Sequence, residues 1–125
     1  MDERPTVALG HVRLHCKDLE ASRLFYCALG MRQCPSFPGV HVLELRGGTH
    51  LLLIQSPDEM MEHLDAPIDL IVDDLQGYRD GLTRLGYQAT EISFHALIGH
   101  HRFFVTDPDG RRIIVQSTHT EGRPV

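Results

Sequence analysis

The sequence lacks an excess of basic residues. It has 12 lysine and arginine residues against 17 aspartate and glutamate residues, which gives a formal net charge of -5. Proteins that bind nucleic acid or anionic lipid usually present a basic patch or stripe. We therefore expect no nucleic-acid partner and no membrane partner, whereas a neutral or cationic small molecule is compatible with this charge.

Long apolar runs are also missing. No run approaches the roughly 18 to 20 residues that cross a bilayer, and the opening residues, Met1-Asp-Glu-Arg-Pro-Thr, lack the charged and apolar regions of a signal peptide. The sequence therefore predicts a protein that stays in the cytoplasm.

Cysteine is scarce, and the cysteines are not spaced as pairs. Cys16, Cys27 and Cys34 form an odd set without a C-x-x-C pair. This pattern argues against a disulfide framework and against a zinc knuckle. No Cys-His-acid order indicates thiol catalysis either. We expect reduced, mostly buried thiols.

What the sequence does contain is an internal repeat. Three anchors of the first copy recur 56 residues later: Leu19, Leu29 and Gly30 correspond to Leu75, Leu85 and Gly86. Two copies of one supersecondary unit usually pack to build one site between them. With 125 residues and 42% hydrophobic content, the chain fits a single domain, residues 1–125, in which two small modules share a core.

Module one is predicted to span about residues 7–55. Its first strand, residues 7–16, alternates between apolar and polar residues, so that Val12 and Leu14 lie on one face. The opposite face is polar and carries His11, Arg13 and His15.

A helix follows that begins at an Asp18 N-cap and ends at Gly30. Its apolar positions recur at helical spacing: Ala21, Leu24, Phe25 and Ala28. Three short strands complete a βαβββ unit, at residues 31–34, 40–46 and 49–55, with a two-residue hairpin turn at Gly47-Gly48. A linker that contains Pro57 and several acidic residues, with Pro67 just beyond it, is predicted at residues 56–66.

Module two, about residues 67–118, repeats this order. Its helix is capped by Asp74, and Gly77 and Gly81 each cost that helix about 1 kcal/mol relative to alanine. The helix stripe comprises Leu75, Tyr78, Leu82 and Leu85. The predicted strands are residues 68–72, 87–92, 102–106 and 112–118, and Asp107-Pro-Asp-Gly110 predicts a type I turn before the last of them.

Three stretches together are similar to a known family. They are Gly10-His11-Val12; Asp18-Leu-Glu-Ala-Ser22 leading to Phe25-Tyr26 and Leu29-Gly30; and Phe104-Val-Thr-Asp-Pro-Asp-Gly110. In order and spacing the chain resembles the vicinal oxygen chelate superfamily, which includes glyoxalase I, bleomycin-resistance proteins, fosfomycin-resistance enzymes and extradiol dioxygenases. The resemblance implies an α+β fold in which two tandem βαβββ modules form a curved mixed sheet cup, often across a dimer interface. It leaves function open, because this fold carries many chemistries.

Metal-dependent members of this family hold a divalent ion through four side chains on the first and last strands of each module. His11 matches the first ligand, but the other three positions hold Leu52, Pro67 and Ile114, which cannot donate. The resemblance therefore implies no cofactor at the usual site, and the protein should retain far less than one equivalent of zinc, nickel, manganese or iron(II). A displaced divalent-metal site remains the alternative, because strand periodicity places His15, His50, Asp69 and Gln116 on the same faces as the family positions.

Candidate site residues follow from these family positions and from strand parity. His11 and His15 are the candidates for metal-free acid/base catalysis. The candidate ligand-binding residues are Arg13, His50, Leu52, Asp69, Ile114 and Gln116. A buried Arg13 guanidinium would need an anion, either Asp69 or Glu44 in a structural ion pair or a carboxylate or phosphate of a ligand.

Residues 93–99, Ser-Phe-His-Ala-Leu-Ile-Gly, expose apolar side chains where a connection should be polar. This loop is predicted to be a lid, a dimer contact through Phe94, Leu97 and Ile98, or a segment folded back onto the core. Because each sheet leaves an edge to be covered, we also expect a two-fold homodimer that includes the first strand of each module.

Three functions are compatible with these features. The first is a glyoxalase/bleomycin-resistance-like protein that binds a small organic molecule in the cup without the usual metal site. The second is a metal-dependent lyase, isomerase, transferase or dioxygenase that uses His11 and a displaced ligand set. The third is a structural or regulatory dimer whose cup is filled by its own side chains.

Overall fold

The computed structural model describes residues 3–57, 65–96 and 100–117, with the side chains of residues 65–67 and 100 left aside. The chain divides into two compact units, one on each side of the boundary at residues 63–64. These units contain the two modules predicted from the repeat, and we keep the names module one and module two.

Module one has the order strand, helix and three strands. Its elements are β1 (His11–Cys16), α1 (Leu19–Ala28), β2 (Arg32–Gln33), β3 (Val40–Glu44) and β4 (His50–Gln55). The sheet order is β1-β4-β3-β2, in which β1 and β4 are parallel and the other pairs are antiparallel.

Module two has the same topology. Its elements are β5 (Asp65–Val72), α2 (Leu75–Arg84), β6 (Ser93–His95), β7 (His100–Thr106) and β8 (Arg112–Ser117). The sheet order is β5-β8-β7-β6, with β5 and β8 parallel. The predicted α+β class with two tandem βαβββ modules is confirmed.

The helices begin and end where the repeat predicts. The Asp18 carboxylate accepts a hydrogen bond from the backbone N–H of Ala21 at 3.0 Å, and the Asp74 carboxylate accepts one from Gly77 at 3.0 Å. Each cap satisfies an N–H group that has no partner inside its helix. After each helix the chain turns through a glycine with positive φ, Gly30 at 111° and Gly86 at 92°.

Each sheet buries one face against its own helix. In module one the buried side chains of that face and of α1 include Leu14, Cys16, Leu43, Leu51, Leu53, Phe25 and Tyr26. In module two they include Leu70, Phe103, Val105, Ile113, Val115, Leu75 and Leu82. Tyr78 of α2 also packs near Phe103, and burial raises the pKa of Tyr78 to about 12. The opposite side of each sheet is the helix-free face, and the residues expected to bind a ligand lie there.

Several helix and strand predictions were wrong in detail. Leu24 is 52% exposed and Leu85 is 64% exposed, so neither belongs to the buried stripe of its helix. The first strand begins at His11 instead of residue 7, and β5 begins at Asp65, inside the predicted linker. The turn at Gly47-Gly48 is longer than predicted, because Arg46–Gly48 forms a short 3-10 turn.

The predicted strand at residues 87–92 does not form. Only an isolated bridge joins Ala89 to Val105, and the strand that pairs with β7 is β6, in the segment predicted to be a loop. The Arg79 guanidinium donates to the carbonyls of Ala89 and Thr90 at 3.3 and 2.6 Å, so a side chain occupies acceptors that a strand would use. Leu97 and Ile98 lie outside the described residues.

The Asp107-Pro-Asp-Gly110 turn forms as predicted. The Gly110 N–H donates to the Asp107 carbonyl at 3.0 Å, and the buried Asp107 carboxylate accepts from the buried Arg111 guanidinium at 2.9 Å. All three cysteines are free thiols, Cys16 buried and the others half-buried. Among the described residues, neither helix has the length and apolar character needed to cross a membrane.

Candidate functional site

The helix-free face of module one brings together the predicted residues of β1 and β4. Strand register places cross-strand neighbours in three rows: His11, His50, Glu44 and Arg32; then Arg13, Leu52 and Val42; then His15, Ile54 and Val40. The first row is polar from end to end, and the other two rows mix cationic or imidazole groups with aliphatic ones. Parity within the strands predicted this arrangement correctly for β1 and β4.

The polar row is connected by direct contacts. The His11 and His50 rings meet edge to face with their centroids 5.8 Å apart. His50 Nε2 lies 3.3 Å from Glu44 Oε2, and the Arg32 guanidinium pairs with the other carboxylate oxygen. The hydrogen bond from Arg32, followed by the nearby His50, holds the pKa of the Glu44 carboxyl below its ordinary value.

Cys34, in the chain just after β2, lies diagonally across from the Glu44 of this row. Its backbone N–H donates to the Val42 carbonyl at 2.9 Å, which continues the β2–β3 pairing and places the residue beside Glu44. The potential metal-binding atoms of Cys34, Glu44 and His50 all lie within 4.8 Å of one another, on half-buried side chains. Sequence reasoning did not connect Cys34 with the site, and the register of the β2–β3 hairpin is the signal that would have done so.

His15 lies two rows away from His11 and has a different environment. Its Nδ1 is 2.6 Å from the hydroxyl oxygen of Ser56, a residue that is itself buried. Because His15 and His11 are separated by two rows, the structure does not bring the two predicted catalytic histidines into one hydrogen-bonded pair.

Arg13 is exposed, contrary to the expected buried guanidinium. The carboxylates proposed as its partners are engaged elsewhere: Glu44 with Arg32 and His50, and Asp69 with Gln116. Among residues 3–57, 65–96 and 100–117, no ion pair of Arg13 is found.

The helix-free face of module two carries the other predicted residues. Asp69 is the register partner of Ile114, and Gln116 is the partner of both Ile71 and Arg102. Gln116 is only 6% exposed, and its amide N–H donates to Asp69 at 3.1 Å. Its carbonyl oxygen, Oε1, is buried and has no hydrogen-bond partner in the described part of the chain.

Two arginines lie beside an aromatic ring on this same face. The guanidinium carbons of Arg102 and Arg112 are 5.2 and 4.8 Å from the centroid of the Phe104 ring. Phe104 is also the register partner of Ile114, so this cationic and aromatic group lies next to the Gln116 row. Neither arginine was predicted as a site residue, and alternation within β7 is the signal that places Arg102 and Phe104 on this face.

The usual metal positions of the resembled family do not fit a metal here. His11 offers one imidazole, while Leu52 and Ile114 are half-buried aliphatic side chains and proline at position 67 has no donor. A divalent ion held by one histidine would be weakly bound. We therefore derive no chemistry from a metal at those positions.

A cavity of about 360 Å³ lies elsewhere in module two. It is lined by Thr83, Tyr87, Gln88, Ala89, Thr90 and Thr106. None of these is a predicted site residue, and the lining holds only hydroxyl, amide and apolar groups.

Comparisons with known proteins agree with this fold. The family model for the Glyoxalase/Bleomycin resistance protein/Dioxygenase superfamily matches residues 8–115. No significantly similar sequence was found among proteins of curated function.

Three solved structures illustrate the similarity. TnmS3, an antibiotic binding protein from Streptomyces sp. CB03234, has a TM-score of 0.78 at 18% identity, over 94% of this chain and 100% of that one. A bleomycin resistance determinant encoded on transposon Tn5 has a TM-score of 0.73 at 20% identity, over 90% and 99%. Lactoylglutathione lyase from Agrobacterium tumefaciens has a TM-score of 0.71 at 20% identity, over 91% and 96%. At these identities the likeness concerns the fold alone.

Proposed function

Because the chain belongs to the Glyoxalase/Bleomycin resistance protein/Dioxygenase superfamily, we propose that it binds a small organic molecule on the helix-free faces of its sheets. Binding of this kind does not need a metal at the family's usual positions. An antibiotic binding protein and a bleomycin resistance determinant share the fold, which supports a binding function.

The observation that carries this proposal is the unpartnered oxygen of Gln116. A buried polar atom without a hydrogen bond costs about 1 to 3 kcal/mol. Nearly all buried polar groups in native proteins have a partner, so an exception needs an explanation. A ligand whose N–H or O–H group donates a hydrogen bond to Gln116 Oε1 would explain this exception.

The surroundings of Gln116 suggest further properties of the ligand. Its register partner Ile71 is 47% exposed, so apolar surface is available beside the amide. Arg102, in the adjacent strand, contributes a cation above the Phe104 ring. A partly apolar molecule with a hydrogen-bond donor and a carboxylate or phosphate matches these three groups.

The test compares wild-type protein with Gln116→Met in a thermal-shift screen of aromatic amides, amines and carboxylates. Methionine has nearly the same shape and removes the unpartnered oxygen, but it also removes the N–H group that donates to Asp69. The two changes partly offset, so the free energy of unfolding of the ligand-free variant should change by about 1 kcal/mol or less. Donor-bearing ligands should raise the melting temperature of wild type, because they bind only the folded state. The shift should be much smaller in the variant.

Gln76→Met is the matched control, because Gln76 is exposed on α2 and should leave the ligand shifts unchanged. Arg13→Ala should weaken anionic ligands more than neutral ones if module one also contacts the ligand. A broad screen that gives no thermal shift would favour the structural or regulatory alternative. Equal shifts in wild type and Gln116→Met would remove Gln116 from the site.

We also propose that the chain forms a homodimer through β1 and β5. Each of these strands lies at an edge of its own sheet, and exposed edges are usually paired or covered. Light scattering at micromolar concentration should give about twice the mass of one chain. A monomer at all concentrations would contradict this proposal without affecting the ligand screen.

A further inference from the structure

We propose that Cys34, Glu44 and His50 form a binding site for a zinc-class divalent cation on the helix-free face of module one. This site goes beyond the proposed ligand-binding function. It uses none of the family's usual metal positions. The expectation that the protein retains little metal was based on those positions alone. Only His50 was among the residues considered for a displaced site.

The strand register brings these three residues together from separate parts of the chain. Glu44 is the cross-strand partner of His50, and Arg32, two residues before Cys34, is the partner of Glu44. Cys34 extends the same hairpin through its backbone bond to Val42. The three side chains therefore point to one side of adjacent strands.

The spacing of the donors suits a tetrahedral ion. Two nitrogen or oxygen ligands, each about 2.0 to 2.2 Å from a tetrahedral zinc ion, lie about 3.3 to 3.6 Å from each other. His50 Nε2 and Glu44 Oε2 are 3.3 Å apart, which is the length of such an edge. A Zn–S bond of about 2.3 Å places the sulfur about 3.6 Å from the other two donors of a tetrahedral site. One possible donor atom of each residue already lies within 4.8 Å of the others, so the Cys34 side chain has to move closer to complete the set.

The chemistry of the donors selects the class of metal. A thiolate and an imidazole favour zinc, cobalt(II) and similar ions over magnesium and calcium, which prefer oxygen donors. Three protein ligands leave a fourth position for water or another group. Half-buried side chains allow the ion to enter from solvent.

Arg32 supports this arrangement from outside the ligand set. Its guanidinium pairs with Glu44 Oε1, which leaves Oε2 directed toward His50. Contacts of this kind orient metal-binding carboxylates, and their loss commonly weakens metal affinity about 10- to 100-fold. Arg32 is therefore a positioning residue, and the same contacts without a metal would form only an Arg–Glu–His ion-pair network.

The experiment is a titration of the full-length, chelator-treated protein with cobalt(II), followed by absorption spectroscopy. A tetrahedral site containing a thiolate should give intense visible bands and a near-ultraviolet sulfur-to-cobalt charge-transfer band that saturate at one equivalent. Zinc should abolish both. Cys34→Ser should eliminate the charge-transfer band, whereas Cys27→Ser, at a half-buried thiol of α1, should retain it.

Arg32→Ala should weaken cobalt binding about 10-fold or more while keeping the band, if Arg32 only positions Glu44. The absence of a charge-transfer band in wild type, or its persistence in Cys34→Ser, would overturn the proposal. A second measurement needs no substitution: zinc should protect Cys34, but not Cys27, from iodoacetamide in the folded protein. Equal alkylation of Cys34 with and without zinc would also overturn it.

Discussion

The two modules have the same strand order and the same helix caps, yet the residues at equivalent helix positions differ. Phe25 of α1 is completely buried, and the position 56 residues later is Gly81. The next position is Tyr26 in α1 and Leu82 in α2, both buried. Helix α1 therefore buries two aromatic rings at these positions, where α2 has a glycine and a leucine. The common features are those that start and stop a helix, and the bulk of the core can vary between the copies.

The helix-free faces differ more than the helix cores. Module one presents imidazole, carboxylate and thiol groups close together, through His50, Glu44 and Cys34. Module two presents Phe104 between arginines, beside the amide of Gln116. The same topology thus carries a helix-free face whose side chains suit a cation in module one and one whose side chains suit an organic anion in module two. This is possible because side chains alternate along a strand, so those on the helix-free face can change without changing the core.

The largest effect is expected for Phe25→Ala. Removal of a fully buried phenylalanine should lower the free energy of unfolding by about 3 to 5 kcal/mol. Chemical denaturation of wild type and variant measures this loss. Leu24→Ala, at the exposed neighbour in the same helix, is the control and should change stability by about 0.5 kcal/mol or less. If Phe25→Ala lowered the free energy of unfolding as little as Leu24→Ala does, α1 would not dock through its aromatic residues.

If the two modules depend equally on their helix caps, removing either cap should lower the free energy of unfolding by nearly the same amount. Asp18→Ala and Asp74→Ala should each cost about 1 kcal/mol, because each leaves the N–H at the third following residue without its acceptor. Urea unfolding of the single variants gives both values. Asp18→Asn and Asp74→Asn keep a capping oxygen and should lower the free energy of unfolding by only about a few tenths of a kcal/mol. A loss confined to one module would show that only that helix depends on its cap.

The smallest effect is expected for Gly81→Ala, and it has the opposite sign. Among the described residues, an alanine Cβ here would come within 4 Å of Arg84 Nη2 alone, at 3.9 Å, and α2 would gain a better helix former. We expect the free energy of unfolding to rise by about 0.5 to 1 kcal/mol. Gly86→Ala is the matched control and should be destabilising, since φ there is +92°. A destabilised Gly81→Ala would show that α2 needs glycine for close packing.

Much of the fold could be predicted from local sequence. The caps, the stops at Gly30 and Gly86 and the type I turn at residues 107–110 depend on residues within a few positions of one another. The failure at residues 87–92 has a non-local cause, since the Arg79 side chain of α2 bonds the backbone there. Leu24 and Leu85 were misplaced because spacing alone does not show how far around a helix the sheet extends.

The sequence by itself determined the repeat, the order of elements and the face of β1 on which His11, Arg13 and His15 lie, because these follow from local periodicity and capping. Only the tertiary structure decided which side chains meet. Strand register brought Cys34 to Glu44 and His50, and joined Gln116 to Asp69, 47 residues away. Register depends on the hydrogen bonds and packing of whole strands, and a shift of one residue would turn every side chain to the other face.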